Sequence, residues 1–569
     1  MKIGMFLAPS EQVLYTGISQ VPHTLGVMTA YLRGKGNMVH QYDLNTDLLD
    51  YYSDHTLTKD DIKIIFDKDA VINYINGEEN PVITRFIEKM LANKPIDSFE
   101  ITGVSIGGTF YWLSIHAGFL IARYIKKKYR IPVVIGGNNM VYLNSFKSVY
   151  YQLWQAVLKA FRFVIVGSGL ESFRKIIERV KDNPNWTPAS HERSQLKGLL
   201  YMENGNVLNV VQDRCLVVKP DFKGLPLDDY MYYLKDPGKS PDPQEAQRQN
   251  LDQIFKWPHT LGQLANQVYR KREKRKEGVF IKKLVIPYVF SYHCPYKCAF
   301  CAESNKENQV VLGDPIETVN DIQELLNEYN TEYISFFNNY FNLSKKFALT
   351  FCQEVKKRKL KFYWSDCARF TGIDLDFLQE LKESGCQTLW FGMETASKKL
   401  LEMINKELSL KQMEEGLDLC QKVGIRANLE VIIGFPNETH DDFRKTAVFL
   451  KRNAYKINYF QPNRFYIIPD STIGRFPEKF DIELVKDVIT YDSLSKANLE
   501  WFLSGKDLGA KPNNFHIYTF NEIGARKHDE IFKDSYKRQR YLYKLQSREF
   551  LEIRQMLILL DSISKPKTG

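Results

Sequence analysis

Long apolar runs are missing from this sequence of 569 residues. No stretch approaches the roughly 20 apolar residues that a membrane-spanning helix needs, so we expect no membrane span. The first residues, Met1 to Pro9, contain one cation and an apolar run too short for a signal peptide. They are typical of a first buried strand, and we therefore expect a cytoplasmic protein.

Cysteine is absent from the first 214 residues. Three of the eight cysteines, Cys294, Cys298 and Cys301, then lie within eight positions. A disulfide framework would distribute its cysteines along the chain, whereas a reduced protein with one thiolate metal site concentrates them. The pattern predicts a local metal site.

A strong excess of one charge and a dinucleotide-binding fingerprint are also missing. The net charge is only +10, and the densest basic run, Arg270 to Lys276, lacks the interleaved aromatics of a nucleic-acid surface. These features disfavour a nucleic-acid partner. No Gly-x-Gly-x-x-Gly follows the first predicted strand, which disfavours a dinucleotide cofactor.

Apolar strands alternate with amphipathic helices in two series. The first series, residues 1–215, predicts a parallel sheet covered on both faces, the doubly wound (Rossmann-like) α/β class. The second, residues 280–480, has six predicted strands and indicates a partial (β/α)6 barrel of the TIM type. Residues 216–279 are predicted to link the two domains, and residues 481–569 to form a mainly helical segment that caps the barrel.

Glycines follow three consecutive strands of the first series. Parallel sheets bind ligands at the carboxyl ends of their strands, and glycine lets a bulky ligand approach the backbone. Ordinary turns would explain any single position equally well, but the repetition favours a ligand site. The predicted positions are Gly107, Gly136, Gly137, Gly167 and Gly169.

The strongest motif is Cys294-Pro-Tyr-Lys-Cys298-Ala-Phe-Cys301, directly after the first predicted barrel strand. Three thiolates at this spacing can hold three irons of a four-iron four-sulfur (4Fe-4S) cluster and leave the fourth iron open to substrate. Structural zinc is disfavoured because it normally recruits a fourth Cys or His, and His293 is badly placed to complete the same polyhedron.

This loop resembles the signature of the radical S-adenosylmethionine (SAM) superfamily, which commonly has an aromatic residue before its last cysteine, here Phe300. The resemblance implies that the open iron chelates SAM and that the reduced cluster cleaves it to a 5′-deoxyadenosyl radical. Later strand ends are also similar to family motifs. The segment from Gly392 to Ser397 is close to Gly-Ile-Glu-Ser-Gly-Ser, and the one from Gly434 to Thr439 is close to Gly-x-Pro-Gly-Glu-Thr.

The resemblance also implies contacts with SAM. Glu394 and Arg369 are predicted to bind its ribose hydroxyls and its carboxylate, because a charged acceptor and a planar donor suit these groups. An internal ion pair of the barrel is the alternative. Asn338 replaces a carboxylate that relatives often have near the SAM amino group, and Gly434 is predicted to let adenine lie against the backbone. The predicted cofactor-binding residues of the barrel are Phe300, Asn338, Arg369, Gly392, Glu394, Ser397 and Gly434.

A doubly wound domain before such a barrel resembles the cobalamin-binding members of the superfamily. Their matching segments add Ser105 and Glu171 to the predicted cofactor-binding residues. Members with a histidine on cobalt have Asp-x-His-x-x-Gly after the first strand, whereas this chain has Val21-Pro-His23-Thr-Leu-Gly26. Because the aspartate that would orient the imidazole is missing, we expect cobalamin to bind without ligation by His23.

The combined resemblance implies a cobalamin-dependent enzyme that methylates an unactivated carbon of a secondary metabolite or a peptide. It implies three cofactors, a 4Fe-4S cluster, SAM and cobalamin, and an external one-electron reductant such as flavodoxin or ferredoxin. Ring contraction or cyclisation without methyl transfer is the alternative. A tRNA-modifying methylthiotransferase is disfavoured, because its second cluster needs amino-terminal cysteines, which this sequence lacks.

Overall fold

The structure is a computed structural model. It describes residues 1–18, 20–107, 111–212, 214–256, 266–267, 269–270, 280–305, 310–486, 488–504 and 517–549. The chain divides into two compact units, the first formed by residues 1–229 and 486–517 and the second by residues 230–485 and 518–569. Within the described ranges, no helix is both long enough and apolar enough to cross a membrane.

The first unit contains a five-stranded sheet whose strands are all parallel. They are β1 (Lys2–Leu7), β2 (Met38–Asp43), β3 (Ile101–Ser105), β4 (Val133–Gly136) and β5 (Phe163–Val164). The strand order is β2-β1-β3-β4-β5, so the direction of winding reverses between β1 and β3. Such a reversal opens a crevice at the carboxyl ends of the strands, where doubly wound sheets bind ligands. The predicted fold class of this domain is confirmed.

Helices surround this sheet, and a hairpin follows it. The helices are α1 (Gln12–Thr16), α2 (His23–Gly34), α3 (Leu44–Ser53), α4 (Lys59–Lys63), α5 (Lys68–Asn76), α6 (Pro81–Met90), α7 (Trp112–Tyr129), α8 (Asn138–Ser145), α9 (Tyr151–Ala160), α10 (Leu170–Asp182) and α11 (Ser190–Arg193). The hairpin strands are β6 (Leu200–Glu203) and β7 (Asn206–Asn209). Helix α7 is buried from Trp112 to Ala122, and the Glu11 carboxylate accepts hydrogen bonds from its first backbone amides, at Trp112 and Leu113.

The second unit contains a six-stranded parallel sheet that curves as a partial barrel, with the strand order β10-β13-β14-β15-β16-β17. These strands are β10 (Val285–Tyr288), β13 (Tyr333–Phe336), β14 (Tyr363–Ala368), β15 (Cys386–Glu394), β16 (Arg426–Ile433) and β17 (Ile457–Arg464). The helices between them are α13 (Pro315–Glu328), α14 (Lys345–Lys357), α15 (Leu375–Glu383), α16 (Lys398–Met403), α17 (Leu410–Val423) and α18 (His440–Arg452). Each of these helices begins at an Asp, Ser or Thr side chain that accepts a backbone N–H of the first turn, which explains where it starts. The predicted (β/α)6 arrangement is confirmed.

The predicted linker contains structure that closes the amino-terminal end of the barrel. Strand β8 (Tyr232–Lys235) pairs antiparallel with β9 (Phe280–Lys283), and helix α12 (Pro243–Leu251) runs into a π-helical turn at 252–256. Phe255 of this turn packs with Val285 and Tyr333, the first residues of β10 and β13. Burying these apolar side chains favours a docked segment over a free linker. Residues 257–265, 268 and 271–279 of the predicted linker, with most of its basic run, lie outside the described residues.

The predicted carboxyl-terminal segment divides between the two units. Helix α20 (Tyr491–Ser504) belongs to the first unit, whereas β18 (Ile482–Val485), β19 (Thr519–Glu522) and α21 (His528–Glu549) belong to the second. In α21 the Gln546 amide donates to the Phe460 carbonyl of β17 at 2.6 Å, so this helix packs against the barrel. Residues 550–569 lie outside the described residues. The remaining short elements are β11 (Ser291–Tyr292), β12 (Val311–Leu312) and α19 (Thr472–Arg475).

Candidate active site

The loop of the three clustered cysteines follows β10 and β11 at the carboxyl end of the barrel strands. Its backbone turns at His293, which has a φ of 66°. The Ala299 amide donates to the Ile404 carbonyl at 2.8 Å, which ties the loop to the segment after α16. Cys294, Cys298 and Cys301 form no disulfide within the described part of the chain.

Burial and neighbouring negative charges both disfavour free thiolates in this loop. Burial raises the pKa of Cys301 to about 11, and the charges of Cys298, Glu303 and Cys294 act in the same direction. Burial also raises the pKa of Cys294, so the Cys294 and Cys301 thiols need a bound cation to ionise at neutral pH. Among the described residues, no three His, Cys, Asp or Glu side chains are grouped closely enough to hold a single metal ion.

Asn338 holds the start of this loop. Its carboxamide oxygen accepts the Phe290 and Ser291 backbone amides at 3.0 and 2.9 Å, and its Nδ2 donates to Asp366 at 2.7 Å. The side chain is buried, and burial also raises the pKa of Asp366 to about 8. Because both ends of the carboxamide are engaged inside the protein, we retain no contact between Asn338 and SAM.

Glu394 forms a buried ion pair with Lys406, at 2.7 Å from carboxylate to ammonium. The pair lies beside Gly392, where a Cβ would stand 2.6 Å from the carboxylate and 2.8 Å from the ammonium, so a side chain at this position would displace it. Glu394 itself has a φ of 62°, an uncommon conformation for a non-glycine residue. Residues held in such conformations concentrate at functional sites.

Arg369 lies near this pair without forming an ion pair with Glu394. Its guanidinium lies 3.5 Å from the centre of the Tyr296 ring, and its Nη2 donates to the Lys406 carbonyl at 2.7 Å. Its buried Nε has no hydrogen-bond partner among the described residues. Phe300, also in the cysteine loop, lies 5.9 Å from the Lys406 ammonium. The structure therefore brings Arg369, Glu394 and Phe300 together, and the predicted internal pair involves Lys406 instead.

Sequence reasoning missed Lys406. The residue lies in the loop after α16, twelve positions beyond Glu394, and nothing in its local sequence distinguishes it from a surface lysine. The only local signal is the neighbouring Asn405, which has a φ of 52°. Asparagine tolerates this conformation and so indicates a turn, but it does not indicate a buried lysine.

Contacts within the barrel unit account for two other residues that were predicted to bind the cofactor. The Ser397 hydroxyl donates to Asp442 and accepts the Leu400 amide, and the residue is fully buried, so we retain no cofactor role for it. Gly434 has a φ of 84°, and a Cβ there would lie 2.9 Å from that of Ser535 in α21. The positive φ and the nearby Ser535 are sufficient to require glycine at this position, and a contact between Gly434 and adenine remains a prediction.

The predicted glycines of the first unit stand at the carboxyl ends of its strands, and their contact with a cofactor remains a prediction. Gly137 has a φ of 111°, and a Cβ there would lie 2.5 Å from the Ile106 carbonyl oxygen, so only glycine fits. Gly167 has a φ of 94°, and a Cβ would meet Gln212 at 2.9 Å. The remaining positions share this edge of the sheet, namely Gly107, Gly136 and Gly169.

Other predicted residues of the first unit have partners inside it. The Ser105 carbonyl accepts the Ala8 amide at 2.9 Å. The Glu171 carboxylate accepts hydrogen bonds from Tyr31 and Arg174, so its predicted contact with a cofactor would compete with these bonds. His23 is the first residue of α2, and its buried Nε2 has no hydrogen-bond partner in the described part of the chain.

Comparisons with known proteins agree with the cysteine loop and the fold. Residues 288–450 match the family model of the radical SAM superfamily. An uncharacterized methyltransferase of Pyrococcus horikoshii is 32% identical over 160 residues, which cover 28% of this chain and 35% of that protein. An anaerobic magnesium-protoporphyrin IX monomethyl ester cyclase of Rubrivivax gelatinosus is 28% identical over 167 residues, 29% of this chain and 30% of that protein. The chain thus spans about a third of the length of these relatives.

A solved structure extends the likeness to almost the whole chain. The radical SAM methyltransferase TsrM of Kitasatospora setae, in a structure with cobalamin and a 4Fe-4S cluster bound, has a TM-score of 0.56 and 14% sequence identity. The alignment covers 95% of this chain and 88% of TsrM. At this identity the likeness establishes a shared fold. Residues 288–450 therefore match the radical SAM superfamily, and the chain as a whole shares its fold with TsrM.

Proposed function

We propose that this protein is a cobalamin-dependent radical SAM enzyme that transfers a methyl group to an unactivated carbon of a small molecule or peptide. The observation that carries the proposal is the loop of three cysteines at the carboxyl end of the barrel's first strand. It occurs in a chain that also contains a doubly wound sheet, the combination found in the TsrM fold.

The residues present fit a 4Fe-4S cluster. Three thiolates of one loop can ligate three irons, and no other pair of cysteines lies as close in sequence. When bound, such a cluster binds SAM at its open iron and supplies the electron that cleaves SAM. The chain's own contribution is to position SAM. Arg369, whose Nε lacks a partner among the described residues, can hold the SAM carboxylate, and Glu394 can accept a hydrogen bond from a ribose hydroxyl.

The first unit fits cobalamin through its backbone. Gly137 and Gly167 leave the ends of β4 and β5 without side chains, and β1 and β3 end at the same edge. Burial lowers the pKa of His23 to about 4, so the imidazole stays neutral, and the nearby Val21 is buried and cannot orient it. We expect nitrogen splitting to be absent from the electron paramagnetic resonance spectrum of the cob(II)alamin form. Splitting that disappears in His23→Ala would contradict this expectation.

The test uses SAM with a deuterated methyl group, the reconstituted protein, a one-electron reductant and candidate substrates. Methyl transfer predicts a labelled product together with 5′-deoxyadenosine and S-adenosylhomocysteine. An unlabelled product with 5′-deoxyadenosine alone would overturn the proposal. That outcome would favour ring contraction or cyclisation, which the similarity to an anaerobic cyclase also supports.

A further inference from the structure

One face of the barrel strands β14 to β17 carries polar and aromatic side chains. Residues that pair directly across neighbouring parallel strands point to the same side of a sheet. Trp364 and Phe391 of the opposite face are fully buried, and Trp364 packs against Phe351 of helix α14, so the first face is the interior of the barrel. We call the following set the interior patch: Cys367, Trp390, Asn428, Glu430, Tyr459, Gln461 and Asn463.

Glu430 is a carboxylate without a cation in the interior patch. Asn463 donates to one of its oxygens at 2.6 Å, and no lysine, arginine or histidine in the described part of the chain pairs with it. The neighbouring cation, Lys406, is paired with Glu394. Burial, and then the like charge of Glu394, raise the pKa of Glu430 to about 7. A half-buried carboxylate in this position lacks the compensation that buried charges normally have.

Aromatic residues of the interior patch lie on the two strands that flank the strand of Glu430. The rings of Trp390 and Tyr459 lie 5.9 Å apart in a T-shaped arrangement. Burial raises the pKa of Tyr459 and of Tyr543, and the charge of Glu430 acts in the same direction. Gln461 accepts from Tyr459 at 2.6 Å and donates to Tyr543 at 3.2 Å, which fixes the two phenols. A carboxylate beside ring faces is a combination that binds organic cations.

Two further observations indicate that the interior patch receives a ligand. Asn428 is fully buried two residues before Glu430, and its Nδ2 has no hydrogen-bond partner among the described residues. Buried amide donors are normally satisfied, so an acceptor is missing here. Cys367 keeps accessible surface even though surrounding protein raises the pKa of its thiol. The patch therefore combines an unmet amide donor with a thiol that solvent reaches.

We propose that Glu430 binds a cationic nitrogen of the substrate inside the barrel, with Trp390 and Tyr459 around the cation and the Asn428 amide donating to a neighbouring acceptor atom. The inference rests on the proposed function, because it names the substrate class of that same site. It assigns the protein a substrate that carries a protonated amine beside an oxygen acceptor.

The test measures binding of n-butylammonium, n-butanol and butyrate to the reconstituted protein by saturation-transfer difference NMR. SAM is present and reductant is omitted, so that the cofactor site is filled and no turnover occurs. We expect n-butylammonium to bind at least tenfold more tightly than n-butanol, and butyrate not to bind. Glu430→Gln keeps the volume and the Asn463 hydrogen bond, and it should weaken n-butylammonium at least tenfold while leaving n-butanol unchanged. Glu430→Asp should restore most of the affinity, and the exposed Glu415→Gln should change nothing.

Three results would overturn the inference: binding of no probe, equal binding of alcohol and ammonium, or displacement of n-butylammonium by SAM. If Glu430→Gln fails to retain iron, Trp390→Leu tests the same site from another strand, and unchanged n-butylammonium affinity there refutes it. Reductive cleavage of SAM to 5′-deoxyadenosine is measured in parallel. Its absence from the wild-type protein would count against the proposed function, whereas its presence without cation binding counts only against the Glu430 site.

Discussion

Removing the Asn338 side chain should loosen the cysteine loop at its first residues. In Asn338→Ala the backbone amides of Phe290 and Ser291 lose their shared acceptor, and Asp366 loses a donor. Both amides are buried, and each unsatisfied donor costs about 1–3 kcal/mol, so the loss at the loop amounts to about 2–6 kcal/mol. That is a large part of the 5–15 kcal/mol by which a domain is typically stable.

Hydrogen exchange followed by mass spectrometry is the appropriate assay, because a chain of two units need not unfold in a single transition. A local loss of 2 kcal/mol or more should accelerate exchange in the peptide that contains Phe290 and Ser291 by at least about tenfold. The matched control is Asn339→Ala, one residue further along, where the side chain is exposed. Equal exchange in the two variants would refute the reasoning.

The variant Asn338→Asp keeps the oxygen that accepts the loop amides but removes the amide that donates to Asp366. It keeps an oxygen for both loop amides but brings a second carboxyl to Asp366, whose pKa is already about 8. Two carboxyls at this distance resist double ionisation, so their folded pKa values lie above the unfolded values. Stability should therefore fall as pH rises from about 4 to 8, and protection should be nearest to wild type at acidic pH. Protection that rises with pH would contradict this account.

Three further predictions concern other buried groups. Burial lowers the pKa of His116 to about 4, so the unfolded chain binds a proton at higher pH than the folded protein does. The free energy of unfolding in urea should therefore fall by about 3 kcal/mol between pH 6.5 and 4, and His116→Gln should abolish this loss. Lys406→Met leaves the buried Glu394 carboxylate without its cation and should lower the free energy of unfolding by about 3–5 kcal/mol. Adding Glu394→Gln should recover part of this loss, whereas additive losses in thermal unfolding would exclude coupling between the two residues. Replacing the three loop cysteines by alanine should remove about four irons and all 5′-deoxyadenosine formation, whereas Cys352→Ser, in a buried helix position, should keep both.

Local sequence patterns predicted the fold class and the cluster loop. Strand and helix periodicity depends on neighbours a few residues apart, so both α/β series could be identified from order alone. The spacing of Cys294, Cys298 and Cys301 is equally local, because one loop supplies all three thiols. Capping residues such as Asp314 and Ser409 also mark their helix starts within the sequence itself.

Partners distant in sequence were decided only by the tertiary structure. Asn338 was expected to face SAM, but Asp366 and the Phe290 amide, 28 and 48 positions away, take up its carboxamide. The docking of the predicted linker and the division of the carboxyl-terminal segment likewise depend on which apolar surfaces meet.

Glu430 illustrates the same limit. In sequence it is one acidic residue within an apolar strand, and its lack of a cation becomes visible only when β14 to β17 are side by side. Sequence thus determines which residues can form helices, strands and a thiolate loop, because these properties depend on short-range geometry. Which polar group is satisfied and which is left for a ligand depends on desolvation and hydrogen bonding between distant segments, and only the folded chain decides it.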